Sequence, residues 1–265
     1  MTSNVRIECF HDAKQIFQFL YRDPDLHLYS IGDLDDFFWQ RTQWFGLMID
    51  DQLEAMVLLY YGNDIPVLLA LSQDTNIMAH LLNTIAPYLP GSCYGLISRG
   101  AEEGLKDLFD LDFKQKMSRM ILKHPEKLVD DTSSTFQVVA SDIESLSRFY
   151  HHSYPENWLD SRMIASGTYY AVKQSDEWAS VAGTHVFSPR YGVAAIGNVT
   201  TSPHARGQGL AQQVTSAVCK KALTQVEHIG LNVSSENTSA IRTYSEIGFE
   251  TYCHFDEFFI SRKVR

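Results

Sequence analysis

Residues 194–211, read as AAIGNVTTSPHARGQGLA, constrain this chain more than any other stretch. An apolar and β-branched run from Ala194 to Thr201 reads as a buried strand. It ends at Pro203, which cannot donate to a ladder. Gly207 and Gly209 follow, and then Leu210, Val214, Ala217 and Val218 recur at helical spacing across 210–223. A short buried strand over 229–233 comes next. A helix over 238–247 stops at Gly248, a residue suited to a left-handed C-terminal cap. Strand, tight turn, helix and strand in that order read as part of an α/β chain with a mixed sheet.

The turn also predicts chemistry. Glycine accepts positive φ and carries no Cβ to hold a ligand away. A helix start presents N–H groups without intrahelical partners and a partial positive charge. Together they suit a pyrophosphate, and Arg206 adds a charge beside it. An ordinary strand-to-helix turn is the plain alternative. A nicotinamide dinucleotide fold is a second one, since Gly207 and Gly209 supply the first two glycines of GxGxxG. Its third position is Gln212, and Glu227 precedes the next strand instead of ending it, which argues against an NAD-dependent oxidoreductase.

The segment resembles the GNAT superfamily of N-acetyltransferases. Their cofactor motif R/Q-x-x-G-x-G/A is met by Arg206, Gly209 and Ala211. Their N-x-x-A-x-x-x-Y-x-x-x-G-F pattern is met by Asn237, Ala240, Tyr244, Gly248 and Phe249. The resemblance implies attack of a primary amine, on a small molecule or peptide, upon the thioester of acetyl-CoA or another acyl-CoA in a ternary complex. It implies that the fourth and fifth strands splay, and that Val199 and Thr201 pair with the pantetheine. A backbone N–H near Val199 or Thr200 would polarise the thioester carbonyl. The N–H groups of Arg206, Gly207, Gln208, Gly209, Leu210 and Ala211 would bind the pyrophosphate, and Asn237 would touch the cofactor's arm. Tyr244 falls at the position of the general acid. No base is marked by spacing; Glu156, Glu236 and His185 are the candidates, with Glu156 placed where the family gathers its acceptor, and a water chain is the alternative. A CoA-binding regulatory or scaffold protein without turnover is the rival reading.

The polar stretch Pro125 to Ser134 reads as a linker, giving a degenerate GNAT-like domain over 1–130 and a catalytic, CoA-binding domain over 131–265. The first half repeats the element order faintly: a helix over 12–21, strands over 45–50, 53–61 and 65–71, a helix over 75–86, a strand over 93–98, a helix over 103–110 and a strand over 116–122. Leu111-Asp112-Phe113 matches Ile247-Gly248-Phe249 at an offset of 136. At that offset the glycine turn corresponds to Ala70–Thr75, without glycine or arginine and with Asp74 opposing any phosphate; Tyr244 corresponds to Leu108. This is the tandem arrangement of proteins resembling glycine N-acyltransferases or mycothiol synthases. The first copy is then expected to have lost the cofactor and to wall the acceptor site. The segment His27 to Leu34 resembles one often found near the start of such chains.

In the second half, strands are expected over 136–140, 168–173, 178–187 and 192–201, with helices over 142–154 and 157–165 and a final strand run over 249–262. The net charge of −10 argues against a nucleic-acid partner and favours amine-bearing ligands. Cys9, Cys93, Cys219 and Cys253 are scattered, and His151-His152 lacks HExxH spacing, so no metal is expected. No signal-like start and no apolar run of about 20 residues is present, which makes the cytoplasm the default and a membrane partner unexpected. Monomer and homodimer are both compatible with the sequence.

Overall fold

A computed structural model describes residues 4–155, 157 and 159–264. The chain divides into two compact units, Met1–Arg119 with Ser234–Glu236 and Tyr252–Arg265, and Met120–Val233 with Asn237–Thr251.

The first unit begins with β1 (Val5–Phe10) and α1 (Ala13–Leu20), followed by the short helices α2 (Leu28–Gly32) and α3 (Asp36–Trp39). Strands β2 (Thr42–Ile49), β3 (Gln52–Tyr60) and β4 (Val67–Ala70) lead to α4 (Thr75–Ile85), β5 (Ser92–Ser98) and β6 (Phe109–Leu122). β1 to β4 pair antiparallel in sequence order, and β4 pairs parallel with β5 across the α4 crossover. Met78, Leu81, Leu82 and Ile85 of α4 pack on Leu59, Leu68, Ala70 and Ile97 of the sheet. Each of the buried Met, Leu and Ile side chains contributes about 1.5–3 kcal/mol.

The second unit holds β7 (Phe136–Gln137), α5 (Ile143–Ser153), α6 (Ser161–Ala165), β8 (Tyr170–Gln174), β9 (Glu177–Ser188), β10 (Val193–Thr201), α7 (Leu210–Ala222), β11 (His228–Ser234), α8 (Thr238–Glu246) and the start of β12 (Phe249–Arg262). β7 to β10 pair antiparallel in order, and β10 pairs parallel with β11 across α7. Alternation along the strands sends Val172 and Ala182 to the α7 side, and Ala171 and Val181 to the side covered by α5 and α6.

The two units therefore share one strand order and one crossover. They also share a turn: Asp50-Asp51 joins β2 to β3 with φ of 47° and 65°, and Ser175-Asp176 joins β8 to β9 with 50° and 65°. Two left-handed residues match the right-handed twist of a two-residue hairpin. The tandem architecture read from the sequence is present. The end of β12 belongs to the first unit, where Phe255–Ser261 pairs antiparallel with Ser98–Ser92 of β5.

Several expectations need correction. β1, α2 and α3 were not foreseen. β1 has little apolar alternation, and the two helices are too short to show a period. The helix expected over 103–110 is a single 3-10 turn, Ala101–Leu105, and β6 starts at Phe109 instead of near 116. A Cβ on Gly104 would lie 2.1 Å from the Ala79 carbonyl oxygen, so this turn sits hard against α4. The offset of 136 holds for β5 and β11, but the last strands correspond as Phe109 and Phe249, both buried, while Phe113 is half-exposed. The extra four residues are the difference between the nine of α8 and the five of the 3-10 turn. Leu108 is thus no counterpart of Tyr244, whose helix the first unit lacks. β7 is cut to two residues because Ala140–Asp142 forms a 3-10 turn, with the Asp142 carboxylate accepting from the Val139 N–H at 2.9 Å. The helix expected over 157–165 is the shorter α6. The stretch read as a linker is docked: Leu128 is buried, the Val129 N–H donates to Ser216 Oγ at 3.0 Å, and Lys220 Nζ donates to the Asp130 carbonyl at 2.9 Å.

Candidate active site

The site lies at the β10–α7–β11 crossover of the second unit. The parallel ladder runs from Val193↔His228 to Ile196↔Leu231 and stops there, although both strands continue. The strands part beyond Ile196, leaving the last residues of β10 outside that ladder. On the other side, the register with β9 shifts between Gly197↔Gly183 and Thr200↔Val181, so Asn198 and Val199 form a bulge. Asn198 takes φ of 52° there. Val199, Thr200 and Thr201 thus occupy a strand end that faces an opening in the sheet.

After Pro203–Ala205, Arg206 is extended, and Gly207 and Gly209 are both left-handed at φ 75°. A Cβ on Gly207 would meet nothing within 4 Å, and one on Gly209 only Gln212 Oε1 at 3.8 Å; backbone conformation, not crowding, selects glycine. Gly209 is the N-cap of α7, and no side chain caps that helix end. Its first turn carries no acidic residue, while Lys220 and Lys221 sit in the last turn, where they suit the dipole. Leu210 and Ala205 are buried and anchor the turn, leaving Arg206 to Gly209 exposed. Arg206 Nε reaches the Thr201 carbonyl at 3.4 Å, and Gln208 Oε1 accepts from Gln174 at 2.9 Å. This is an open, uncapped helix start with backbone donors available to an anion.

The equivalent place in the first unit is closed. β4 is paired to its last residue, Ala70↔Ile97. Ser98 Oγ then accepts from the Ser72 N–H at 2.9 Å and donates to the Ser72 carbonyl at 3.0 Å. The Asp74 carboxylate caps α4, accepting from the Asn76 and Ile77 N–H groups at 3.0 Å each. A carboxylate already occupies the donors that an anion would need.

Asn237 caps α8, its Oδ1 accepting from the Ala240 N–H at 3.0 Å. Tyr244 lies on α8 and is buried in the α7-side core, its ring 5.9 Å from that of Phe249. Gly248 closes α8 at φ 99°; its carbonyl accepts from both the Lys123 and His124 N–H groups at 3.0 Å. Glu236 is exposed. Glu156 lies outside the described residues. His151 and His152 are exposed, and among the described residues no three His, Cys, Asp or Glu side chains converge as a metal site. Among them, too, no helix is long and apolar enough to cross a membrane.

With this geometry, residues 134–249 match the acetyltransferase (GNAT) family. The fold is similar to GNAT proteins across nearly all of both chains. A GNAT acetyltransferase from Colwellia psychrerythraea is 16% identical over 97% of this chain and 99% of its own, with a TM-score of 0.58. A GCN5-related N-acetyltransferase from Sphaerobacter thermophilus is 10% identical over 97% and 95%, with a TM-score of 0.61. A tandem GNAT protein from the clavulanic acid biosynthesis pathway is 10% identical over 98% of each chain, with a TM-score of 0.53. Residues 134–249 carry the match to the GNAT family, and the chain as a whole is similar in fold to GNAT proteins. No curated protein matches its sequence. At these identities the structural likeness carries the GNAT fold and nothing about substrate.

One part of the site was not legible beforehand. Around the bulge, Tyr150 Oη donates to the Asn198 carbonyl at 2.7 Å, Asn198 Nδ2 donates to Tyr169 Oη at 2.9 Å, and His185 Nε2 lies 3.1 Å from Asn198 Oδ1. Burial pushes the Tyr150 and Tyr169 phenols up and the His185 imidazole down. The available signal was an asparagine inside a β-branched strand, a residue type depleted in strands and tolerant of the left-handed region.

Proposed function

We propose that the chain is an acyl-CoA-dependent N-acyltransferase, with the second unit as the catalytic copy and the first unit as a copy that has lost the cofactor. The observation that carries this is the contrast between the two crossovers. One has parted strands, two left-handed glycines and an uncapped helix start. The other has a closed ladder, a serine clasp and a helix start filled by Asp74.

In this reading the N–H groups from Arg206 to Ala211 hold the pyrophosphate, and the pantetheine lies along Val199–Thr201 as an added strand. The primary amine of a small molecule or peptide attacks the thioester carbon. The C=O π pair moves to oxygen, where N–H groups of Val199 and Thr200 stabilise the charge. Collapse re-forms the carbonyl and breaks the C–S bond. Tyr244 protonates the departing thiolate, and the amine's proton leaves to a base or a water chain, with Glu156 as the acceptor-side candidate. Asn237, fixed as a cap, keeps the start of α8 in place beside the cofactor's arm.

Titration calorimetry with acetyl-CoA, CoA and NAD, followed by free-thiol release across an amine panel, tests this. Acetyl-CoA and CoA should bind at one site per chain, NAD should not, and at least one amine should release thiol. Binding without thiol release leaves a CoA-binding regulator; NAD binding in place of CoA overturns the reading.

A further inference from the structure

We propose that Asn198 is the positioning residue of this site, and that Tyr150 holds it, so that the last turn of α5 and the thioester-facing bulge of β10 move as one body. The inference rests on the acyltransferase reading for its catalytic meaning and on the geometry alone for the linkage.

The donors and acceptors fix the arrangement. A tyrosine hydroxyl donates one hydrogen. Tyr169 Oη gives its own to Met163 Sδ at 3.6 Å, so it accepts from Asn198, and the amide nitrogen of Asn198 must face it. The amide oxygen then faces His185, whose Nε2 carries the hydrogen. The result is one directed chain, His185 to Asn198 to Tyr169 to Met163. Asn198 is the link that both donates and accepts while its backbone sits at φ 52°. Alanine offers neither property, glycine only the backbone, and aspartate no donor.

Two glycines make room for this chain. A Cβ on Gly183 would lie 2.2 Å from the Tyr169 ring, and one on Gly197 would lie 2.5 Å from the His185 ring. The two rings therefore lie flat against the backbone beside the bulge. From the helix side, Tyr150 Oη holds the Asn198 carbonyl at 2.7 Å, and Thr200 Oγ1 donates to the Ser153 carbonyl at 3.4 Å. Both residues flanking Val199 are thus tied to the last turn of α5. That turn leads directly into the segment carrying Glu156. A shift of α5 is transmitted to the Val199 and Thr200 amides without passing through the pyrophosphate turn.

The test uses the full chain and three variants: Asn198→Ala, Asn198→Gly and Tyr150→Phe. Misplacing an oxyanion donor costs on the order of 100-fold in rate. Asn198→Ala should lower kcat by about that factor while KM for acetyl-CoA stays within about threefold. Asn198→Gly, free to adopt the same φ, should recover about tenfold of the loss. Tyr150→Phe should lower kcat about tenfold. Calorimetric stoichiometry for CoA gives the folded, competent fraction and separates loss of positioning from loss of fold. The amide resonances of Val199 and Thr200 read the linkage without any ligand and should shift in Tyr150→Phe. Wild-type kcat in Asn198→Ala, or unshifted resonances in folded Tyr150→Phe, overturns the proposal. Absence of CoA binding in the wild type would instead sink the acyltransferase reading, and the resonances would still decide the linkage.

Discussion

The proposed anion site can be tested with two variants of almost one shape, Gly209→Asn and Gly209→Asp. Either side chain enters open space, since a Cβ there meets only Gln212 Oε1 at 3.8 Å. Either must take φ 75°, a left-handed conformation that Asn and Asp adopt more readily than other residues, at a cost on the order of 1 kcal/mol. Strain and bulk thus cancel in the comparison, and charge remains. A carboxylate about 4 Å from one phosphate charge is repelled by about 1 kcal/mol with the screening of bulk water, and by about 4 kcal/mol at the effective permittivity of a protein surface. CoA should therefore bind Gly209→Asp more weakly than Gly209→Asn by roughly fivefold to 1,000-fold, and the gap should narrow as salt is raised. Calorimetry at low and high ionic strength measures both. Equal affinities for the two variants would refute the reasoning, because the diphosphate would then lie away from residue 209.

Other outcomes follow from individual contacts. Tyr244→Phe should lower kcat by about 100-fold with little change in melting temperature, because the packing against Phe249 survives loss of the hydroxyl; stopped-flow thiol release and a thermal melt measure the two. Gly248→Ala should destabilise by about 3 kcal/mol or more, since its Cβ would lie 2.1 Å from the His124 carbonyl oxygen and its φ is 99°; denaturant unfolding checks this. Burial raises the Asp33 carboxyl from its ordinary 3.8 to about 8, so the folded chain keeps a proton that the unfolded chain releases. That contribution is complete below pH 4 and is lost as pH rises to about 8. Asp33→Asn should flatten the stability profile across that window and stabilise the protein at pH 8 by an amount on the order of a few kcal/mol. His27, lowered by burial from 6.5 to about 4, acts in the opposite sense, losing stability as pH falls through that interval. The wild-type slope between pH 4 and 6.5 is therefore the shallower part of the curve.

What could be read from the sequence was whatever had a local cause. The α7 crossover was legible because Gly207, Gly209 and Pro203 act on their own backbone, and because the apolar face of α7 repeats over a full 13 residues. β1 was not, since an edge strand with one buried residue has no pattern to detect. The register of the duplicated halves was also lost, because the step from α8 to a five-residue turn changes the spacing without leaving a marker. The Asn198 network was hidden for a deeper reason. Its members come from α5, from the approach to β8, and from β9 and β10, and hydrogen bonds spanning 48, 29 and 13 residues have no signature along the chain.

In the proposed reading, little separates the cofactor-binding copy from the copy that has lost the cofactor. Both have the same order of strands and the same connecting helix, and each helix buries its apolar face on its own sheet. Core packing therefore does not distinguish them, and a helix start wants its free N–H groups satisfied in either case. Asp74 does so within the chain, at a gain of about 1 kcal/mol typical of such caps. Gly209 leaves them to solvent and forgoes that gain. The clasp of Ser72 by Ser98 closes the strand gap in one unit, while the ladder ends at Ile196 in the other, against the ordinary tendency to complete a sheet. Local stability is sacrificed twice in the second unit, at adjoining places, where the first unit retains it. An unfilled cap beside an unfinished ladder is the arrangement a ligand with a diphosphate at one end and an amide-bearing arm at the other would complete. Acetyl-CoA or CoA should accordingly raise the melting temperature of the chain, and inorganic pyrophosphate, which can fill only the cap, should raise it less.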